Sequence, residues 1–169
     1  MAEATSNLKC VVVAVDSSEE SMKSLRWALD NLKFESPSTA TLHILTVQPP
    51  PSLSSGINPG AIPFGGPKFS EVPAFAAAIE AHQKRISDAI IDHALKICED
   101  EKTQINIETK IVVGDAKEVI CQVVEQLKAD LLVMGSHSYG PIKRMFLGSV
   151  SNYCTNQAQC PVMVVKESS

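Results

Sequence analysis

VMGSHSYGPIKRMFLGS, residues Val133–Ser149, is the stretch that decides the fold, because it runs from a strand end through a glycine-punctuated loop to a helix start. Loop glycines let backbone N–H groups approach a phosphate closely, and the positive end of a helix opening at Ser149 adds to the attraction. Lys143 and Arg144 bring positive charge to the same loop. The stretch therefore predicts an anion site. The alternative is a strand-to-helix connection whose glycines only serve turns.

Outward from this stretch, β-branched runs alternate with helical patterns. The run Lys9 to Val15 is almost continuously apolar, as in a parallel strand buried on both faces. The predicted strands are Lys9–Val15, Thr41–Gln48, Asn106–Val113, Asp130–Gly135 and Val162–Val165; the predicted helices are one that starts directly behind Ser17, then Ala74–Glu101, Ala116–Leu127 and Ser149–Asn156. This alternation indicates right-handed βαβ crossovers and a parallel sheet with helices on both faces.

Two of the predicted helices begin at a capping box, in which a small polar residue is followed three positions later by glutamate. Ser17 with Glu20 and Asp115 with Glu118 have this spacing. We therefore expect Ser17 and Asp115 to cap the helices that follow them.

Length and composition describe an ordinary globular chain. Its 169 residues are most simply one domain, 1–169, with a core at about 9–166. A net charge of −4 without a long Lys/Arg cluster argues against nucleic acid as a partner. No apolar run approaches the roughly 20 residues that span a bilayer, so no membrane association is expected. The N-terminus lacks a secretory signal, which predicts a cytoplasmic protein that could also enter the nucleus.

The five cysteines and four histidines form no catalytic or metal-binding pattern. The cysteines, at 10, 98, 121, 154 and 160, include no C-x-x-C pair, which indicates reduced thiols. Cys10 and Cys121 sit in apolar segments and are expected to behave as small hydrophobes; redox sensing by Cys154 or Cys160 is the alternative. His82 and His93 are expected on the solvated flank of one helix. We predict no catalytic residue and no metal site.

The segment Pro49 to Pro73 breaks the composition, because it holds seven of the ten prolines and four of the eight glycines. It is predicted to be a flexible insertion without regular structure. Since it leaves the carboxyl end of the second strand, it lies at the edge where open α/β sheets bind ligands. A lid over a ligand, a mobile insertion without a ligand role, and a polyproline docking site at Pro49-Pro50-Pro51 remain open.

The opening stretch resembles the signature G-x2-G-x9-G-[ST] of nucleotide-binding universal stress proteins. In this chain the frame is Gly135, Ser138, Gly148 and Ser149, so serine replaces the second glycine, and Gly140 follows two residues later. VVVAVDSS at 11–18, GSVSNYC at 148–154 and CPVMVVK at 160–166 also resemble plant members of the family. The resemblance extends roughly from Lys9 to Lys166.

This resemblance implies an open five-stranded parallel sheet of order 3-2-1-4-5, the adenine nucleotide alpha-hydrolase-like fold. Ligands of such sheets collect where the strand order reverses, here at the carboxyl ends of strands one and four. The nucleotide-binding positions implied by the resemblance are Ala14, Val15, Asp16, Val47, Met134, Gly135, Ser138, Gly140, Gly148, Ser149, Val150 and Ser151.

The resemblance implies individual roles for several of these positions, and it implies that the following ones surround the ribose and phosphates: Met134, Gly135, Ser138, Gly148, Ser149, Val150 and Ser151. Asp16 would hydrogen-bond the ribose or approach a metal, although a helix-capping aspartate is the alternative. The backbone of Val47 would contact the adenine edge, whatever its side chain. A side chain at position 148 would occupy the place of a phosphate. The hydroxyls of Ser149 and Ser151 could donate to phosphate oxygens, but Ser149 is equally suited to cap a helix.

Ser138 leaves open how many phosphates the nucleotide carries, and the role of the neighbouring His137 is open as well. If the backbone at Ser138 is left-handed, serine costs about 1–2 kcal/mol relative to glycine. Where only the bound form needs that geometry, this cost corresponds to about a tenfold or greater loss of affinity. AMP would escape this penalty where ATP would not, or the serine hydroxyl would replace a backbone contact. His137 either touches phosphate or is solvated.

The function implied is that of a dimeric adenine-nucleotide-binding regulator or sensor in a stress response. Its ligand would be ATP, ADP or AMP, with or without Mg²⁺, and it would form a homodimer through the edge strand Val162–Val165. A nucleotide-independent chaperone-like or interaction dimer and a slow ATP hydrolase are the alternatives.

Overall fold

Five parallel strands form one open sheet in the computed structural model, which describes residues 7–51, 73–101, 103–136 and 148–166. The strands are β1 (Cys10–Ala14), β2 (Thr41–Gln48), β3 (Asn106–Val113), β4 (Leu131–Gly135) and β5 (Val162–Val165); the helices are α1 (Glu19–Asn31), α2 (Pro73–Asp100), α3 (Ala116–Leu127) and α4 (Ser149–Gln157). The order across the sheet is β3-β2-β1-β4-β5, which confirms the predicted topology.

The central strand β1 fixes where the carboxyl ends of its neighbours lie. Val13 pairs with Ile44 of β2 on one side and with Val133 of β4 on the other. Residues 11 to 13 are fully buried, as expected for a parallel strand covered on both faces. The chain leaves β1 and β4 side by side at the same edge of the sheet, where the strand order reverses.

Helices cover the two faces of the sheet and enclose two cores. On one face, Val11 and Val13 pack with Leu25 of α1 and Ile97 of α2. On the other, Val12 and Leu132 belong to a cluster with Val124 of α3 and Cys154 of α4. The helices cover both faces of the sheet, as predicted, but they leave part of the edge strand β3 uncovered. There the side chains of Ile111 and Val113 are 38% and 52% exposed.

The starts of two helices differ from the capping-box predictions. Ser18, not Ser17, is the N-cap of α1, and its side chain accepts a hydrogen bond from the backbone N–H of Ser21. The carboxylate of Asp16 accepts a hydrogen bond from the backbone N–H of Ser18. With this contact, the helix begins one residue later than the capping-box spacing of Ser17 and Glu20 predicts. Asp115 is the N-cap of α3 as predicted, but its side chain makes no capping hydrogen bond.

The proline-rich insertion differs from its prediction at both described ends, and at the first of them Pro51 is helical. Pro73 is the first residue of α2, a position that suits proline because the missing N–H would be unpaired there in any case. The prediction that regular structure is absent up to Pro73 is therefore wrong at that residue. Residues 52–72 lie outside the described part of the chain, and the extent of the domain stays a prediction. No helix in the described ranges is long and apolar enough to cross a membrane.

Candidate functional site

A cavity of about 480 Å³ lies at the carboxyl ends of β1 and β4, between the N-termini of α1 and α4. Its size falls within the roughly 300–1,000 Å³ of small-molecule sites. The described residues that line it are Ala14, Val15, Asp16, Ser18, Ser21, Leu45, Val47, Ala116, Ile120, Met134, Gly135, Gly148, Ser149, Val150 and Ser151. One wall is apolar, with Leu45, Val47 and Ile120, whereas the mouth carries hydroxyls and a carboxylate.

The cavity brings together all the predicted nucleotide-binding residues that the structure describes. Ser138 and Gly140 lie outside the described residues, as do His137, Lys143 and Arg144. The sequence prediction missed the lining residues Ser18, Ser21, Leu45, Ala116 and Ile120. Ser18 follows the predicted cap of the first helix and Leu45 lies inside the second predicted strand, but nothing in the sequence shows that α3 presents Ala116 and Ile120 to the ends of the strands.

Asp16 holds the turn that leads from β1 into α1. Its Oδ1 accepts from the backbone N–H of Ser18 at 2.8 Å and also from the Ser18 hydroxyl. Since Ser18 is the N-cap, Asp16 positions the capping residue and does not itself cap the helix. Both contacts use Oδ1, so within the described ranges Oδ2 remains as an acceptor at the exposed mouth of the cavity.

The hydroxyl of Ser21 fixes the main chain beneath Asp16. The backbone N–H of Asp16 donates to Ser21 Oγ at 3.0 Å, and Oγ lies 3.1 Å from the carbonyl oxygen of Asp16 and 3.0 Å from that of Ser18. Ser21 is 5% exposed. A buried hydroxyl that bonds to both ends of this turn holds the carboxylate in place before any ligand arrives.

The N-terminus of α4 opens into the cavity without a side-chain cap. Gly148 is the N-cap and supplies no capping hydrogen bond; its φ of −58° is one that any residue adopts. The first intrahelical bond runs from the Asn152 N–H to the Gly148 carbonyl at 2.9 Å, so the N–H groups of residues 149–151 have no partner within the helix. Backbone conformation therefore does not require glycine here, and the N–H groups of this turn are of the kind that can bind an anion.

Ser151, one of the predicted phosphate donors, already uses its hydroxyl inside this turn. Its Oγ donates to the Gly148 carbonyl at 3.0 Å, and the residue is 3% exposed. It can donate to a phosphate only by breaking that bond. Ser149 is exposed and is the first residue of α4, so it does not cap the helix.

Gly135 is required by packing between β4 and α1. A Cβ added at this position would lie 2.7 Å from the carbonyl oxygen of Glu20 and 2.8 Å from its carbonyl carbon. Because both atoms are backbone, only a shift of α1 would relieve the clash. The first glycine of the sequence signature thus lets the helix start close against the strand end.

The chain belongs to the universal stress protein family, whose sequence model matches residues 7–166. The protein PHOS34 of Arabidopsis thaliana is 32% identical over 91% of this chain, and the chain spans only 60% of that relative's length. UspA from Lactobacillus plantarum shares the fold with a TM-score of 0.70 and 21% identity, over 94% of this chain and 98% of its own. A family protein of Arabidopsis thaliana solved with AMP bound has a TM-score of 0.62 and 24% identity, over 95% and 93% of the two chains.

Proposed function

We propose that this chain is an adenine-nucleotide-binding universal stress protein that holds AMP or ATP in the cavity between α1 and α4. The observation that carries the proposal is the uncapped N-terminus of α4, which opens into the same cavity as the Asp16 carboxylate. The N–H groups of its first turn, which have no partner among the described residues, and its positive dipole favour a phosphate at one end. Oδ2 of Asp16 can accept from ribose hydroxyls in the middle.

The apolar wall of the cavity suits a purine base. Leu45 and Val47 lie on β2 and Ile120 on α3, and all three line the cavity. An apolar slot with a few polar groups is the usual form of a small-molecule site, and the backbone of Val47 supplies the donor and acceptor for the base edge. The AMP-bound Arabidopsis relative, which shares this fold, supports the same class of ligand.

Magnesium would enter with a triphosphate. Mg²⁺ commonly binds proteins through one or two carboxylates together with substrate phosphates, and Asp16 is the carboxylate at the described mouth of the cavity. We propose Asp16 as the protein ligand in that case. AMP alone would need no metal.

Calorimetry with AMP, ADP, ATP, IMP and GMP tests the binding proposal. IMP is the matched control, because it differs from AMP only at the edge of the base. We expect AMP to bind more tightly than IMP or GMP. An absence of heat with all three adenine nucleotides at millimolar concentration would exclude the proposal. Native mass spectrometry of freshly purified protein gives an independent readout of any co-purifying nucleotide.

We also propose that the protein acts as a homodimeric regulator or sensor, with β5 as the dimer interface. Its residues 162–165 are uncharged and half-buried at one edge of the sheet. The other edge, β3, exposes the charged residues Glu108 and Lys110, which discourage pairing with another strand. Of the two edges, β5 is therefore the one suited to self-association.

The direction of the hydrogen bonds in β5 identifies the residues that would pair across the two-fold axis. The carbonyls of Pro161 and Val165 accept from the backbone N–H groups of Leu132 in β4 and of Ser136 directly after β4, both at 3.0 Å. Because N–H and C=O alternate sides along a strand, Val162 and Val164 present theirs to the free edge. Val164→Pro should then give monomers in sedimentation, while Val164→Thr, which keeps the N–H, should stay dimeric. A monomeric wild type at tens of micromolar would disprove the interface.

A slow ATP hydrolase is the competing function. Hydrolysis needs a group that positions water and charges that stabilise the transferred phosphoryl group. Among the described lining residues, Asp16 is the one ionisable side chain. We therefore expect turnover far below the roughly 1–1,000 per second of ordinary enzymes. Hydrolysis at several per second that stops in Asp16→Ala would replace the binding function with an enzymatic one.

A further inference from the structure

Two cysteines on neighbouring helices lie in contact on the face of the sheet covered by α3 and α4. The thiol of Cys121 on α3 donates to the sulfur of Cys154 on α4, with the two Sγ atoms 3.8 Å apart. A disulfide requires about 2.05 Å between its sulfurs, so the bond forms when rotation of the two side chains brings these sulfurs closer.

The two thiols differ in their access to solvent. Cys154 is fully buried in the core cluster beneath the sheet. Cys121 is half-buried and lines a second cavity of about 390 Å³ between α3 and α4, together with polar residues that include Glu125, Tyr153 and Gln157. A small polar oxidant can therefore reach Cys121 but not Cys154.

We propose that Cys121 is a site of thiol oxidation and that, once oxidised by a peroxide, it forms a disulfide with Cys154. The Cys121 thiol loses its proton and the thiolate attacks hydrogen peroxide. The S–O bond forms, the O–O bond breaks, and the hydroxide that leaves takes up the thiol proton, so Cys121 becomes a sulfenic acid and one water leaves. The Cys154 sulfur then attacks Sγ of Cys121, the S–S bond forms, the S–O bond breaks, and the hydroxyl leaves as a second water with the Cys154 proton. Two thiols are oxidised and one peroxide is reduced to two waters.

The order of the two steps follows from burial. Burial, with a smaller effect from the neighbouring Cys121, raises the pKa of the Cys154 thiol to about 12. Because the thiolate is the nucleophile, Cys154 reacts poorly with a peroxide in solution. Its attack on a sulfenic acid at Cys121 is favoured by proximity, since the two sulfurs are already in contact. The disulfide joins α3 to α4, the helices that contribute Ile120 and Ser151 to the nucleotide cavity.

Peptide mapping of the wild-type protein after treatment with hydrogen peroxide tests the proposal directly. We expect a cross-linked peptide that contains Cys121 and Cys154, with a mass lower by two hydrogen atoms and restored by a reductant. The expected cross-link is intramolecular, so it appears in the monomer band of a non-reducing gel.

Single variants separate the two roles. Cys154→Ser should accumulate a sulfenic acid at Cys121 that a dimedone probe labels, whereas Cys121→Ser should form neither product. Cys160→Ser is the matched control, because Cys160 is also half-buried, and should form the cross-link as the wild type does. A cross-link between other cysteines, or dimedone label on Cys154 with Cys121 unmodified, would overturn the assignment.

Discussion

The N-termini of α1 and α4 open into the same cavity but satisfy their backbone groups in opposite ways. In α1, the hydroxyl of Ser18 accepts from Ser21, and Glu19 and Glu20 place negative charge in the first turn. In α4, Gly148 offers no capping side chain and the first turn contains no acidic residue. Each helix has the same excess of N–H donors and the same positive end.

The difference indicates which helix end is built for a ligand. At α1 the acidic side chains of Glu19 and Glu20 offset the positive end of the helix. The backbone N–H groups of Ser18 and Ser21 already donate to side chains, so an anion there would meet negative charge and occupied donors. At α4 the N–H groups of residues 149–151 have no partner among the described residues and can bind an anion. The stability lost by having glycine as N-cap is only a few tenths of a kcal/mol relative to serine or aspartate. The small stability given up at α4 is consistent with a phosphate acting as its cap.

The largest expected effect comes from giving α4 a cap of its own. In Gly148→Asp the carboxylate would accept from the N–H groups of the first turn and repel a phosphate. Since hydrogen bonds to a charged group contribute about 1.5–3 kcal/mol each, we expect AMP affinity to fall at least about 100-fold in calorimetry. The free energy of unfolding should stay equal or rise by a few tenths of a kcal/mol, because the helix is better capped.

Gly148→Asn is the control for charge in that experiment, since it caps the helix without repelling an anion. It should weaken AMP binding less than aspartate does. If aspartate at position 148 leaves AMP affinity intact while urea unfolding shows a native protein, the phosphate does not lie at α4.

The second prediction sets the two signature glycines against each other. Gly135→Ala should lower the free energy of unfolding by about 1–3 kcal/mol, because its Cβ would collide with the backbone of Glu20. Gly148→Ala should cost much less stability, because φ at that position is −58°. Urea unfolding of both variants measures the contrast. Equal losses would mean that the close contact between β4 and α1 is not what requires glycine at 135.

Removing the cap of α1 is expected to have a smaller effect. Ser18→Ala should destabilise the protein by about 1 kcal/mol in urea unfolding. AMP affinity should change less than about threefold, since the Ser18 N–H still holds Asp16. Ser17→Ala is the matched control at an exposed neighbour, and its effect should stay within about 0.5 kcal/mol. If Ser17→Ala lost more stability than Ser18→Ala, Ser17 and not Ser18 would be the N-cap.

The difference between Ser17 and Ser18 shows what sequence patterns cannot predict. Strands β2, β3 and β5 have the predicted boundaries because their apolar runs are bounded by breaks in pattern. The cap of α1 was predicted one residue early, because Ser17 has the capping-box spacing to Glu20 and Ser18 has no glutamate three residues later. That choice depends on the contact between Ser18 and the Asp16 carboxylate.

The site residues that come directly after β1 and β4 could be predicted from the sequence. Those that reach the cavity only through tertiary packing could not. Asp16 and Gly148 could be named because strand ends and signature spacing mark them. Ile120 could not, because it lines the cavity only through the way α3 packs on the sheet. Gly135 was named for a nucleotide, yet its contact with Glu20, far away in sequence, gives it a packing role that no local pattern records.

The smallest expected effects come from exchanging the charges of the two helix ends. Glu19→Gln removes a negative charge from the first turn of α1 and should lower its stability by about 0.3–1 kcal/mol at low salt. Asn152→Asp adds an exposed charge to the first turn of α4 and should raise stability by a few tenths of a kcal/mol while weakening AMP binding about two- to threefold. Both differences should shrink near 1 M salt, where the Debye length falls to about 3 Å.

The same substitution at the other end of α4 controls for charge alone. Asn156→Asp lies in the last turn, where negative charge opposes the dipole, so it should lower stability slightly and leave AMP affinity unchanged. Salt titrations of AMP binding by calorimetry compare the three variants with the wild type. If Asn152→Asp and Asn156→Asp weaken binding equally, the affinity depends on the net charge of the protein and not on the open end of α4, and the contrast with α1 carries no information about the ligand.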